Sequence, residues 1–430
     1  MSKYLVVSAD GHAGPPMHVY REYLEQRFRE PFDQFQAALH AGQVVNEDFV
    51  ADWDEETGDH ELLAAFDSDA RLAVLDREGV AAEVLFPDAD VLGTGRAASS
   101  PFGSGLASGN GGTAETVLAG SRAHNRWLAD FVAAAPTRRV GCAVIPITKG
   151  IDEAVAEIYR CSEAGLTGVM IPTRWFDSPA YLDASYEPVW AACEEVGSVL
   201  HTHSGAGPAD YEPGAGFISI YANEAWWWAA RPLWVLILCG VFERHPRLTY
   251  SVAENGAWWL PDIIKRMDEK WIGGHTTRKF GEAAFRGDLP MKPSEYMNRN
   301  CFLAASTPSE DDIDRRHEIG IGNLLWGNDL PHPEGTYPHT REWITKRFSH
   351  LPEDEARLIL GENAATLYRF DRAALAPIVE RIGMTAEAVH GRPIDSPIDS
   401  ARDSARDPAE QSARDSAQLS PRQSSQTVVV

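Results

Sequence analysis

Eight short apolar runs recur along the chain, and their rhythm limits the folds open to it. They read KYLVVSAD, VAAEVLFPD, VGCAVIP, GVMIPT, SVLHTH, LTYSVAE, NCFLAA and NLLWGND. Each is brief, nearly continuous and rich in β-branched residues, the pattern of strands buried on both faces. Helical patterns lie between most of them. DARLAVLDREG precedes the second run, ETVLAGSRAHNRWLADFVAAA the third, GIDEAVAEIYRCSEAG the fourth and YEPVWAACEEVG the fifth. AWWLPDIIKRMDEKW follows the sixth, and SEDDIDRRHEIG, with Ser309 as a candidate N-cap, precedes the eighth. Strands alternating with helices imply an α/β protein with a parallel sheet. A doubly wound open sheet is the competing arrangement, but no glycine-rich phosphate loop follows an early strand. A closed (β/α)8 TIM-type barrel is the expected fold, because polar residues collect where the strands end, the face on which barrel active sites are built.

The barrel is expected over residues 1–385, with long inserted loops at 17–68 and 88–118. The second is rich in Gly and Ser and is a candidate lid. From 386 to 430 the chain degenerates into PIDS and ARDS repeats with almost no large apolar residue, the composition of a disordered tail.

Net charge is −24, which argues against nucleic acid and anionic membranes as partners and leaves a small-molecule substrate. The five cysteines, Cys142, Cys161, Cys193, Cys239 and Cys301, are widely spaced and form no metal or redox pair. Together with the lack of a leader-like segment at the N-terminus, they suit a reducing, cytoplasmic setting. The most apolar stretch, AWWWAARPLWVLILCGVF, is interrupted by Arg231 and Pro232 and does not read as a membrane span.

Four strand ends carry chemistry. The first gives Asp10 and His12 in VVSADGHAGPP, alternate residues that share a face. The fifth gives His201 and His203, the sixth Glu254, and the eighth Asp329 followed by His332. Taken singly, each has an ordinary structural explanation: a turn cap, a core histidine, a paired acid. Together they surround one barrel axis, and imidazoles mixed with carboxylates hold a divalent ion with a position left for water. Arg174, just past the fourth strand, is a candidate carboxylate clamp. Trp226-Trp227-Trp228 and Trp258-Trp259 are expected mainly to pack helices on the barrel or on a second subunit.

The chain also resembles the amidohydrolase-related family, the branch of the amidohydrolase superfamily that includes aminocarboxymuconate semialdehyde decarboxylase. VVSADGHAGPP is similar to that family's first-strand metal motif. DREGVAAEVLFP, HNRWLADFVAAAPTRRVGCAVIP and GLTGVMIPT resemble its barrel framework. VFERHPRLTYSVAENGAWWLPDIIKRMD and LLWGNDLPHPEGTYP resemble its sixth and eighth strand regions, and ILGENAATLYRF its closing helix. The likeness covers residues 4–372 and implies a metal-dependent barrel enzyme. By position it makes His12, His201 and Asp329 metal ligands, ranks His203 second to His201, and leaves Asp10 where relatives often carry His or Glu. On the sixth strand, Glu254 stands where the family's decarboxylases carry a catalytic histidine.

The expected function is therefore metal-dependent hydrolysis. Asp10, His12, His201 and Asp329 are expected to hold one divalent ion, zinc first and manganese second. Glu254 and Asp329 would handle the proton of an activated water, and His203 or His332 would serve the leaving group or bind substrate. Non-oxidative decarboxylation of a small unsaturated or aromatic acid is the alternative, and a non-catalytic metal-binding barrel the third reading. A homodimer is expected from the aromatic content and the family.

Overall fold

Residues 3–42, 63–87, 113–175, 178–204, 216–273, 289–332 and 334–391 are described by the structure, a computed structural model. Eight parallel strands form one sheet in sequential order: β1 (Val7–Ala13), β2 (Ala82–Pro87), β3 (Arg139–Val144), β4 (Gly168–Met170), β5 (Val199–His203), β6 (Thr249–Ala253), β7 (Cys301–Ala304) and β8 (Leu324–Leu325). β8 is much shorter than its apolar run. Closure falls to the segment after it: Ala9 N donates to Trp326 O (2.9 Å), Asp329 N to Asp10 O (3.0 Å) and His12 N to Leu330 O (2.7 Å). The result is the (β/α)8 barrel expected from the alternation.

Along the strands the side chains alternate as period two requires. Leu85, Ala143, Val169, Leu200, Val252, Leu303 and Leu324 join the core between sheet and helices. Val7, Ala82, Val84, Phe86, Cys142, Met170, Ala253 and Leu325 form a second cluster inside the barrel, closed from below by Leu367, Tyr368 and Phe370.

The helices begin and end at local signals. Asp67 caps Ser68–Glu78 by accepting from Ala70 N, and Gly79 ends it at φ 82°. Ser309 forms a capping box with Asp312. The tryptophan-rich stretch is the helix Phe217–Leu238. Among the described residues no helix is long and apolar enough to cross a membrane. Trp259 is buried, Trp226 stacks on it at 5.9 Å, and Trp227 and Trp258 keep about 40% of their surface exposed (37% and 43%). Packing thus accounts for part of the aromatic run.

The first insertion is not a bare loop, since it contains the helices Met17–Tyr23 and Gln26–Gly42. Its residues 43–62, and residues 88–112 of the second insertion, lie outside the described residues. At the other end the packed chain runs past the expected boundary at 385. Helix Ala386–His390 buries Val389, and His390 Nε2 pairs with the Tyr4 hydroxyl at 2.6 Å. Residues 392–430, the remainder of the expected tail, lie outside the described residues.

Candidate metal centre

Asp10 and His12 were expected just beyond the first strand. They lie within it, because β1 continues to Ala13. Between Ser8 and Gly11 the pairing with β2 slips, so that β1 gains a residue relative to its neighbour. Such a bulge re-aims side chains. Val7 and Ala9 lie in the apolar interior, and after the slip Asp10 and His12 also face the barrel axis, both fully buried. Gly11 points outward against a guanidinium; a Cβ there would sit 2.9 Å from Arg71 Nη2. Gly327, in the segment after β8 that closes on β1, makes similar room: a Cβ there would fall 2.6 Å from Asp10 Cβ.

Four side chains meet at the C-terminal mouth. His12 Nε2 is 3.2 Å from Asp329 Oδ1 and 3.6 Å from Asp10 Oδ1. His203 Nε2 is 3.1 Å from the same Asp10 oxygen. Asp10, His12, His203 and Glu254 offer ligand atoms all within 4.8 Å of one another, as do His12, Asp329 and His332. His12 Nε2 and Asp329 Oδ1 are buried and make no hydrogen bond. Buried polar atoms are ordinarily paired. Two lone-pair donors left unpaired and facing one point fit a divalent cation, and the mixed imidazole and carboxylate set suits zinc or manganese.

The remaining contacts fix these groups. His203 Nδ1 lies 2.8 Å from Ser204 O and 3.1 Å from Glu254 Oε2, two acceptors that hold its proton there and leave Nε2 directed at Asp10. Ser306 donates its hydroxyl to Asp10 Oδ2. Glu254, Ser306 and Asp329 follow β6, β7 and β8, and all three have left-handed backbones, with φ of 51°, 55° and 56°. Non-glycine residues adopt this conformation at a cost, and such residues concentrate at functional sites.

Behind the site Arg71 is fully buried. It donates to His12 O (2.9 Å) and Leu330 O (3.3 Å) and pairs with Glu83 (2.8 Å), which also receives Arg139 (3.3 Å). One guanidinium thus ties the ends of the first and eighth strands together.

Charge follows geometry. Burial opposes ionisation of Asp329, but His332 and His12 hold its carboxyl well below the usual carboxylate range. Burial likewise opposes charge on His203, but Asp10 and Glu254 push its pKa well above 6.5, so a cation at Nε2 would bind by displacing that proton.

His201, which the resemblance ranks above His203 as a ligand, is not brought into this group. It lies two residues earlier on β5, one layer deeper, where Nε2 meets the Tyr368 hydroxyl at 2.9 Å and the two rings stack within 4°. Burial drives its pKa down to about 3, so it is neutral. Arg174 sets its guanidinium over the Trp228 ring, 4.3 Å from the centroid, against the Phe217–Leu238 helix. His332 stacks on His12 with centroids 4.0 Å apart and brings Nδ1 to 3.2 Å from Asp329 Oδ1.

Sequence reasoning passed over Ser306 and Glu334. Ser306 sits in AAST at the seventh strand end, and Glu334 two residues past His332 in PHPEG. A polar residue at every strand end was the signal for the first, and the H-x-E spacing for the second. A cavity of about 450 Å³ lies at the opposite end of the barrel, lined by Arg139, Thr167, Val199, Tyr368 and Arg369. The titratable cluster, not this cavity, marks the candidate reactive face.

The amidohydrolase family model matches residues 67–370, and the chain belongs to that family. No curated protein matches the sequence. Solved structures share the fold at low identity. An amidohydrolase from Mycobacterium avium subsp. paratuberculosis K-10 is 19% identical, with TM-score 0.59 over 86% of this chain and 99% of that one. The 5-carboxyvanillate decarboxylase of Sphingomonas paucimobilis is 21% identical, with TM-score 0.56 over 86% and 100%. A dihydroxybenzoic acid decarboxylase from Polaromonas sp. JS666, solved with bound manganese and 2-nitroresorcinol, is 19% identical, with TM-score 0.56 over 86% and 99%.

Proposed function

We propose that this protein is a metal-dependent carboxy-lyase that releases CO₂ from a small aromatic or unsaturated acid. The observation that carries the reading is the cluster at the barrel mouth in which Asp10, His12, His203 and Glu254 offer ligand atoms within 4.8 Å of one another, with Asp329 Oδ1 3.2 Å from His12 Nε2. The manganese-containing decarboxylases that share the fold favour this reaction over the hydrolysis first expected from the residues. His203 takes the place that His201 held in that expectation.

Asp10, His12 and His203, with Glu254 or Asp329, would hold a divalent ion, and that ion would supply positive charge to offset the charge of an acid as CO₂ is lost. The chain does the rest. Ser204 O and Glu254 fix the His203 tautomer, and Ser306 orients Asp10. Phe86, with its ring 4.5 Å from that of His203 and 6.2 Å from that of His12, gives the site an apolar wall. The vacated carbon needs a proton. Glu254 and His332, each about one-fifth exposed (21% and 22%), stand at the border between site and solvent, where a proton can be carried in.

Hydrolysis is the second reading, supported by Glu254. A carboxylate just past the sixth strand is the kind of group that serves as a general base, which suits activation of water. The deciding experiment supplies manganese-loaded protein with a panel of hydroxybenzoic acids in D₂O and, separately, with esters, amides and lactones. CO₂ release with deuterium at the vacated position, lost in His12→Ala, supports the lyase. Turnover of the second panel alone selects hydrolysis. No turnover of either by protein that binds the metal counts against both.

A further inference from the structure

The cavity of about 450 Å³ at the far end of the barrel has no part in the metal centre. It is cut into the N-terminal ends of β3, β4 and β5 and closed on one side by residues 367–371. Its volume falls within the range of about 300–1,000 Å³ that small-molecule sites occupy. The floor is apolar and incompletely packed. Val132, Val140, Val199, Leu367 and Phe370 keep 4–9% of their surface, whereas Cys142 and Leu200, further along two of the same strands, keep none. Core side chains ordinarily interdigitate without such gaps.

Most polar groups in the wall are already engaged. Tyr368 pairs its hydroxyl with His201 Nε2 at 2.9 Å. Arg139 directs its guanidinium to Glu83, the Ser68 hydroxyl and the Phe131 carbonyl. Asp371 caps the helix Arg372–Ile382, accepting from Ala373 N (2.9 Å) and Ala374 N (3.2 Å).

Arg369 differs from these. Its guanidinium lies against Gly197, where a Cβ would fall 3.0 Å from both Nη atoms. Among the described residues it meets no carboxylate within 4 Å and makes no side-chain hydrogen bond. Its backbone is left-handed, with φ 58°. Arg369 N donates to Thr366 O (3.3 Å) and Phe370 N to Ala365 O (3.0 Å), the paired bonds of a helix ending in which this position ordinarily falls to glycine. An arginine here carries a backbone cost that glycine would not, and it sets a cation at the cavity rim.

We propose that the cavity binds a small organic monocarboxylate, with its apolar body on Val140, Val199, Leu367 and Phe370 and its carboxylate on the Arg369 guanidinium. One cation not claimed by a described carboxylate matches one negative charge. A phosphate dianion would stand beside Asp371 with half its charge unopposed. This site is independent of the metal and of the reaction at the mouth.

The test is calorimetric titration of full-length protein with benzoate, in the presence of a chelator so that the mouth holds no metal. One benzoate per chain is expected, bound about tenfold more tightly than neutral benzamide and not displaced by inorganic phosphate. Arg369→Gln should weaken benzoate by about tenfold and leave benzamide unchanged. Ala164→Trp, on the exposed rim, should exclude both probes. Arg369→Gly separates binding from folding. It relieves the left-handed backbone, so the urea midpoint should hold or rise while benzoate binding falls as in Arg369→Gln. Benzoate bound by any of these variants as well as by the wild type overturns the site. Benzamide bound as tightly as benzoate, or displacement by phosphate, overturns the choice of a monocarboxylate. No saturable benzoate binding to the wild type overturns the proposal outright.

Discussion

His12 Nε2 and Asp329 Oδ1 face each other at 3.2 Å, both buried and neither hydrogen-bonded. A buried imidazole and carboxylate held only for structure would turn to share a proton along a good hydrogen-bond line. These atoms instead stand 3.2 Å apart without meeting hydrogen-bond geometry. Manganese should therefore stabilise the folded protein, by about 3 kcal/mol when free ion exceeds its dissociation constant a hundredfold. His12→Ala and Asp329→Ala should abolish that gain. Urea unfolding with and without the ion measures it, and equal stabilisation of wild type and variants would show that the ion binds elsewhere.

Ser306 tests the support around the ligands. Its hydroxyl donates to the Asp10 oxygen turned away from His203, from a left-handed backbone that follows β7. Ser306→Ala removes that donor without touching an ion. Outer-sphere partners of this kind are worth about 10–100-fold in metal affinity. Competition with a fluorescent chelator should detect the loss, and urea unfolding of metal-free protein should show a fall of about 1–3 kcal/mol, because the buried Asp10 oxygen loses its donor.

Arg71 makes a contrasting prediction. It donates to backbone carbonyls at the ends of both the first and eighth strands and shares Glu83 with Arg139. Arg71→Met leaves these acceptors buried and poorly paired. Removing one member of a buried ion pair costs about 3–5 kcal/mol, so a marked drop in stability is expected even without metal. Metal affinity should fall as well, because the strand ends that carry His12 and Asp329 lose their common tie.

These contrasts show where the sequence was legible. Alternation of apolar runs and helical patterns is local, and it located all eight strands and the capped helices. Features that depend on distant neighbours were not legible. D-G-H looks like a terminating turn because glycine usually is one; here Gly11 makes room for a guanidinium from the helix Ser68–Glu78. NLLWGND reads as one strand, yet only Leu324–Leu325 pairs with β7 in the ladder, and the rest closes on β1. His201 and His203 share a face, so period two cannot tell which layer meets Asp10. That depends on how β5 is staggered against β1 across the barrel, and a one-dimensional pattern carries no stagger.

The deeper histidine gives the last prediction. His201 is buried against Tyr368, and burial lowers its pKa from 6.5 to about 3. Above pH 6.5 it is neutral in folded and unfolded chains alike and contributes no pH dependence. Between 6.5 and 3 the unfolded chain takes up a proton that the folded chain refuses. Stability therefore falls as pH falls, by on the order of 1 kcal/mol per pH unit. Other groups titrate in the same range, so the useful quantity is a difference. His201→Gln keeps a polar atom near Tyr368 but does not titrate. Measured on metal-free protein by urea unfolding, the wild type should lose about 2 kcal/mol more than this variant between pH 6.5 and 5. Equal losses would mean that His201 takes its proton in the folded state, and that the layer beneath the metal site is more polar than its packing against Phe86 and Tyr368 implies.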